Sequence, residues 1–273
     1  MEEQQQEMSF LGHLEELRWH LVRSVASIFI LAIIFFAFAT EVYNHFLLAH
    51  IKPDFITYQL FCDFFNLFGM DSAFCNVSFV DKKLQSIKVT SQLMNSIWSS
   101  LILGLIVSFP YILWEIWRFV SPGLTKKEIQ KSRGFIFIAS TLFFLGVLFS
   151  FYIIAPISIH FLYNYQITDA IENSFTLESH IGLVTNMLLG VSILFELPVL
   201  IYFLTKIGLI TPEFLKKYRK HALVVVLILA AIITPPDVAS QVIVAIPILI
   251  LYEIGIKVSR RVIKNQEKNA NKS

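Results

Sequence analysis

Apolar residues run along this chain in long blocks, and polar residues collect between them. The blocks over 21–39, 96–117, 134–155 and 181–205 each come close to or exceed the ~20 residues that a helix needs to cross a ~30 Å hydrocarbon layer. Two shorter blocks, 222–234 and 238–256, flank Pro235-Pro236-Asp237. At helical rise the first of these covers only about 20 Å, so the bilayer thins there or the helix borrows flanking residues. The pair reads either as a short hairpin with a Pro-Pro turn or as one kinked helix. Two prolines followed by Asp make a poor helix interior, which favours the hairpin and six spans over five. The expected fold is a single all-α polytopic membrane domain over 1–273, with short fifth and sixth spans. Residues 40–95 form a long external loop and 257–273 a basic tail.

Ahead of the first block, Phe10, Leu14, Leu17 and Leu21 recur at helical spacing, with His13, Glu15, Glu16, Arg18 and His20 on the other faces. This pattern predicts an amphipathic helix within 1–20 that anchors the first span at the membrane surface. Ala37-Phe38-Ala39 resembles a signal-peptidase site. The apolar run is nevertheless longer than a signal peptide's 7–15 residues, and 20 residues precede it. The first span is therefore expected to stay.

Composition agrees with a lipid environment. Hydrophobic residues make up 56% of the chain and charged residues 15%, against roughly 25% charged in soluble domains. A net charge of +2 is too small to suggest nucleic acid, but its distribution orients the chain. Arg18 and Arg23 precede or open the first span. Arg118, Lys126, Lys127, Lys131 and Arg133 fill the next short loop, and 156–180 contains no Lys or Arg. Lys206, Lys216, Lys217, Arg219 and Lys220 follow the fourth span, and Lys257 to Lys272 lie in the tail. Short loops rich in Lys and Arg stay inside, so both termini are expected in the cytoplasm.

The two cysteines, Cys62 and Cys75, both fall in the external loop. On an oxidising side of the membrane they could pair, closing a short loop worth about 3 kcal/mol in the chain-entropy model. Two buried free thiols among Phe61, Phe64, Phe65, Phe68 and Phe74 are the alternative, and the residues leave both readings open. No HExxH, GxSxG, P-loop or CxxC motif is present, and the seven His residues are scattered. The chain is thus expected to bind, transport or assemble rather than catalyse, with no cofactor or metal.

Glu196 is the most informative single residue. It lies about nine residues, or about 14 Å, from the inner end of its span, where a carboxyl is costly and usually faces a cavity or a partner. A protonated Glu bonded within the bundle is the plainer reading. Pro198 withholds an N–H and can bend the same helix. In the first inner loop Thr125-Lys126-Lys127-Glu128 matches a helix capping box, and Thr211-Pro212-Glu213 reads as an N-cap with Pro in the first turn.

These segments together resemble one family. His13-Leu14-Glu15-Glu16-Leu17-Arg18 is similar to the opening element of the TatC subunit of the twin-arginine protein translocase. Ser108-Phe109-Pro110, Glu115-Ile116-Trp117-Arg118-Phe119-Val120-Ser121-Pro122-Gly123-Leu124 and Lys127-Glu128 resemble its first cytoplasmic loop. Phe195-Glu196-Leu197-Pro198-Val199 is similar to its fourth span. Thr234-Pro235-Pro236-Asp237, Ser240-Gln241, Ala245-Ile246-Pro247 and Tyr252-Glu253 resemble its last hairpin. The motifs recur in order over nearly the whole chain. The external loop departs from the pattern in its length and its two cysteines.

The resemblance implies a multi-pass protein of the bacterial cytoplasmic (inner) membrane, folded as a concave helix bundle. It would serve as the receptor for precursors whose signal peptides carry paired arginines, in a multimeric complex with small single-span TatA- and TatB-like partners, exporting folded proteins on the proton-motive force. Glu16 and Glu128 match the family's acidic recognition positions, with Arg18 and Phe119 beside them. Glu196 and Pro198 would line a deeper intramembrane surface, and Thr234 and Gln241 would face a partner. A carboxylate can take the planar fork of arginine in two parallel hydrogen bonds. A proton-coupled small-solute carrier built on Glu196 is the alternative, although carriers commonly show internal repeats and none is seen here.

Overall fold

The computed structural model describes residues 10–69, 75, 84–120, 132–168, 170, 173–234 and 238–270. Among them the chain is helical, and its β pairing is a single isolated bridge between Gln85 and Thr176. The helices are α1 (Phe10–Ala37), α2 (Ala39–Val42), α3 (Ile56–Leu67), α4 (Ser91–Val120), α5 (Ser132–Phe149) and α6 (Ala155–Asn164). They continue with α7 (Leu177–Phe195), α8 (Leu197–Lys206), α9 (Pro212–Lys217), α10 (Arg219–Ile233) and α11 (Val238–Ala270). Among the described residues, five stretches are long and apolar enough to cross a membrane: Leu14–Ala37, Ser91–Phe119, Gly134–Asn164, Leu177–Lys206 and Ser240–Lys268. The α10 helix has 15 residues and reaches about 22 Å.

Several boundaries differ from those expected. The amphipathic segment and the first span are one helix, α1, because no Gly or Pro interrupts 13–37. The described residues of the segment after it are largely helical, and the tail continues α11 to Ala270. The expected fourth span is two helices that meet at Glu196. Pro235-Pro236-Asp237 lies outside the described residues.

Two compact units make up the chain. The first takes in Met1–Ala39 and Ser96–Thr141, the second Thr40–Asn95 and Leu142–Ser273. In the first, α1 and α4 pack backbone to backbone. A Cβ on Gly104 would lie 2.8 Å from the Ile28 carbonyl oxygen and 2.9 Å from the Ala32 nitrogen, so only glycine fits. Small residues that admit such approach are how helices associate where lipid gives no hydrophobic drive. Phe29, Ile30, Ile33 and Phe36 on α1 stay exposed, as side chains in contact with lipid do.

The second unit is organised by a proline. Pro156 has no N–H, and the π-helical turn Ser150–Ile154 holds one residue more than an α-helical turn, so the carbonyls of Phe151 and Tyr152 are together short of in-helix donors. Two side chains of the preceding segment supply the missing bonds. Thr57 donates to the Tyr152 carbonyl at 2.5 Å and His50 Nε2 to the Phe151 carbonyl at 2.8 Å. The Tyr58 hydroxyl bonds the His50 and Pro156 carbonyls at 2.9 and 3.2 Å. All three side chains are buried. Near the chain's end, α8 and α11 pack around Ile201, Leu215, Tyr252 and Ile256, with Thr205 donating to Ser259 at 2.9 Å.

Candidate functional site

The first unit carries a polar cluster centred on Glu115. This α4 residue is 1% exposed, yet its carboxylate is fully occupied. Oε2 accepts a hydrogen bond from His20 Nδ1 of α1 and lies 3.9 Å from the Arg23 guanidinium. Oε1 accepts from the Tyr111 hydroxyl at 2.8 Å and lies 3.8 Å from Arg118. The Arg118 guanidinium also sits over the Trp114 ring at 4.9 Å. A buried carboxylate is tolerable only when ringed by donors and cations in this way.

Helical spacing explains why these residues meet. His20 and Arg23 lie about one turn apart on α1, as do Tyr111, Glu115 and Arg118 on α4. The helices run antiparallel: His20 faces Glu115, and Ile28 and Ala32 face Gly104. The His20 ring also meets the Phe119 ring edge-on at 6.2 Å. Glu16, one turn before His20, is half-buried. It makes no ion pair or hydrogen bond among the described residues. Its neighbour Glu15 is salt-bridged to Arg18 at 3.6 Å on an exposed face.

Of the residues expected from sequence, the first unit holds Glu16 and Arg18 on α1 and Phe119 on α4. Glu128, with its capping box, lies outside the described residues. Glu115 was legible only as part of a motif, and no role was expected of it. The available signal was a carboxylate near the exit of one apolar block, matched by Arg23 at the mouth of its neighbour.

The remaining expected residues lie in the second unit. Glu196 ends α7 and precedes α8; its N–H reaches back to the Ile193 carbonyl at 3.1 Å, and its own carbonyl accepts from Val199 and Leu200. Pro198, in the first turn of α8, offers no N–H, which fits the break. Both Glu196 carboxyl oxygens are buried and take no hydrogen bond among the described residues. Thr234 is buried and donates to the Ala230 carbonyl at 2.9 Å. Gln241 donates to the Leu227 carbonyl at 3.0 Å, tying α11 to α10. Cys62 and Cys75 form a disulfide, with Cα atoms 4.9 Å apart.

Comparison with known proteins identifies the family. The profile of the "Sec-independent protein translocase protein (TatC)" matches residues 12–247. The chain belongs to the TatC family. A TatC protein of Blattabacterium sp. subsp. Periplaneta americana is 40% identical over 97% of this chain and 100% of its own length. One from Carboxydothermus hydrogenoformans is 35% identical over 93% of each. A crystal structure described as the twin arginine translocase receptor TatC superposes with a TM-score of 0.69 at 32% identity, over 92% of this chain and 99% of its own. A second, in DDM, gives 0.70 at 31% identity over 90% of this chain and 99% of its own. This TatC-family chain is thus an all-helical translocase component with several membrane-crossing helices.

Proposed function

We propose that this chain is the twin-arginine signal-peptide receptor and core subunit of a Sec-independent translocase, exporting folded proteins across the bacterial cytoplasmic membrane on the proton-motive force. The observation that carries the reading is likeness to TatC proteins over almost the full chain. We read α10 as the short span of a six-span, N-in/C-in arrangement, supported by the Lys and Arg residues of the short loops. TatA- and TatB-like single-span proteins are the partners we expect. Thr234 and Gln241, committed to hydrogen bonds of the α10 and α11 helices, would affect a partner through the shape of that hairpin.

Recognition is assigned to Glu16 and Glu128, with Phe119 as an apolar wall and Arg18 at the border. Support for Glu16 is its half-buried carboxylate, which holds no cation of its own among the described residues. Each charge-assisted contact to arginine is worth roughly 1.5–3 kcal/mol. The test is binding of a labelled twin-arginine peptide to the full-length protein in nanodiscs. Glu16→Gln and Glu128→Gln should each weaken binding by roughly tenfold or more. Exchanging the peptide's arginines for lysines keeps charge but loses the fork and should do the same. Wild-type affinity in both variants refutes the assignment. The solute-carrier reading finds no support in the comparisons and is set aside.

A further inference from the structure

We infer that Glu115 is a positioning residue that takes the protein's own arginines away from the recognition site, so that Glu16 is left free for the arginines of a ligand. The inference rests on the reading of Glu16 and Phe119 as part of that site. Three observations carry it, all within the first unit.

The first is register. His20 on Glu115, and Ile28 and Ala32 on Gly104, fix α1 and α4 antiparallel with residue numbers that sum to about the same value at each contact. One turn beyond the His20–Glu115 contact lie Glu16 on α1 and Phe119 on α4. The edge-on meeting of His20 with Phe119 places Phe119 within a turn of Glu16. The Gly104 contact and the His20–Glu115 hydrogen bond therefore put Glu16 and Phe119 at the same level of the pair.

The second is the allocation of charge. A receptor for two adjacent arginines must not present its own cations at the same place, yet Arg18, Arg23 and Arg118 all lie within about two turns of Glu16 or Phe119. Each is taken by another group. Arg18 pairs with Glu15, Arg23 with Glu115, and Arg118 with Glu115 and the Trp114 face. Among the described residues of this unit, Glu16 is the carboxylate without an ion pair.

The third is burial. Glu115 is 1% exposed, whereas the side chains of Arg23 and Arg118 are 47% and 48% exposed. The carboxylate is too enclosed to receive a bulky ligand itself, but it can hold two half-exposed guanidinium groups by their inner edges. Without its charge, both arginines lose that carboxylate, and their positive charge near Glu16 is left less compensated and repels a dication.

The test uses full-length protein in neutral-lipid nanodiscs, the labelled twin-arginine peptide, and thermal unfolding as a fold check. Glu115→Gln keeps side-chain hydrogen bonding to Tyr111 and His20 but removes the charge, and should weaken binding by about tenfold, more at low salt than at high. Adding Arg118→Gln to Glu115→Gln should restore affinity to within about threefold of wild type. Arg118→Gln alone should tighten binding, since it leaves a carboxylate undercompensated one turn from the site. That arm stands even if Glu115→Gln fails to fold. Unchanged binding in Glu115→Gln overturns the inference, as does failure of the double variant to recover or of Arg118→Gln to tighten binding. Wild-type binding by Glu16→Gln overturns instead the site reading on which the inference rests.

Discussion

Thr57 donates its hydroxyl to the Tyr152 carbonyl at 2.5 Å, the bond that Pro156, four residues further on, has no N–H to make. The first turn of α3 thereby completes a helix that its own sequence leaves incomplete. The buried carbonyl would otherwise be an unmet acceptor, costing about 1–3 kcal/mol. Thr57→Val should therefore destabilise the protein by about that amount. In a Pro156→Ala background, where the helix regains its own N–H, the same substitution should cost clearly less. A double-mutant cycle in detergent measures the difference. Equal costs in the two backgrounds would show that Thr57 and Pro156 are uncoupled.

His50 caps the neighbouring carbonyl and predicts a pH dependence. It is fully buried, with Nε2 donating to Phe151 and Nδ1 without a partner among the described residues. Burial, with help from nearby His180, pushes its pKa from 6.5 down to about 4. Above pH 6.5 the ring is neutral both folded and unfolded, and its stabilising contribution is complete. Between 6.5 and 4 the unfolded chain takes up the proton first, so stability falls with pH. Below 4 the loss levels off at about 3 kcal/mol. Unfolding midpoints measured from pH 8 to 4 should show this slope, and His50→Gln should make it shallower. A slope unchanged in His50→Gln would assign it to other groups.

Gly104 is the closest point of the α1–α4 packing. Since the atoms in the way are backbone atoms of Ile28 and Ala32, they cannot rotate aside. Gly104→Ala should cost about 1–3 kcal/mol. The same change at Gly182, where nothing lies within 4 Å of an added Cβ, should be neutral or stabilising, because alanine is the better helix former. Parallel denaturation of the two variants checks the contrast.

How far these features could be read from sequence depends on the kind of interaction. Apolar length located the five long stretches, since that signal is summed over some 20 residues, while the block over 222–234 falls short of that length as a helix of 15 residues. The break at Glu196 was foreshadowed by Pro198. The fusion of the amphipathic segment with the first span followed from an absence of breakers that periodicity alone does not weigh. The π-helical turn at Ser150–Ile154 was hidden, because one extra residue in a turn leaves an all-apolar block looking the same. The role of Glu115 was hidden for another reason: it depends on the register of two helices 95 residues apart in the chain, which a Gly–backbone contact sets and no local pattern reports.

Cys62 and Cys75 lie 13 residues apart in sequence, so the chain-entropy model gives their disulfide about 3 kcal/mol. Reduction, or Cys62→Ser, should lower the unfolding midpoint. Affinity for a twin-arginine peptide should not change, because both cysteines lie outside the unit that carries Glu16. Free thiols in protein isolated without reductant would contradict the bridge.

Glu196 allows stability and function to be tested against each other. Its two carboxyl oxygens are buried without a hydrogen-bond partner among the described residues, at a break between two apolar helices. An unsatisfied polar group of this kind costs the fold about 1–3 kcal/mol, and a carboxyl at such depth usually serves transport. Glu196→Met, close in length and apolar, should raise the unfolding midpoint in detergent. The same variant should bind the twin-arginine peptide with wild-type affinity, since Glu16 and Phe119 are untouched, yet export a folded precursor more slowly in membrane vesicles. Glu196→Gln keeps the shape and a polar head, so it should gain little stability and shows whether export requires the acid itself. A lower midpoint in Glu196→Met would mean that the carboxyl has a stabilising partner. Unimpaired export in both variants would remove Glu196 from the transport mechanism.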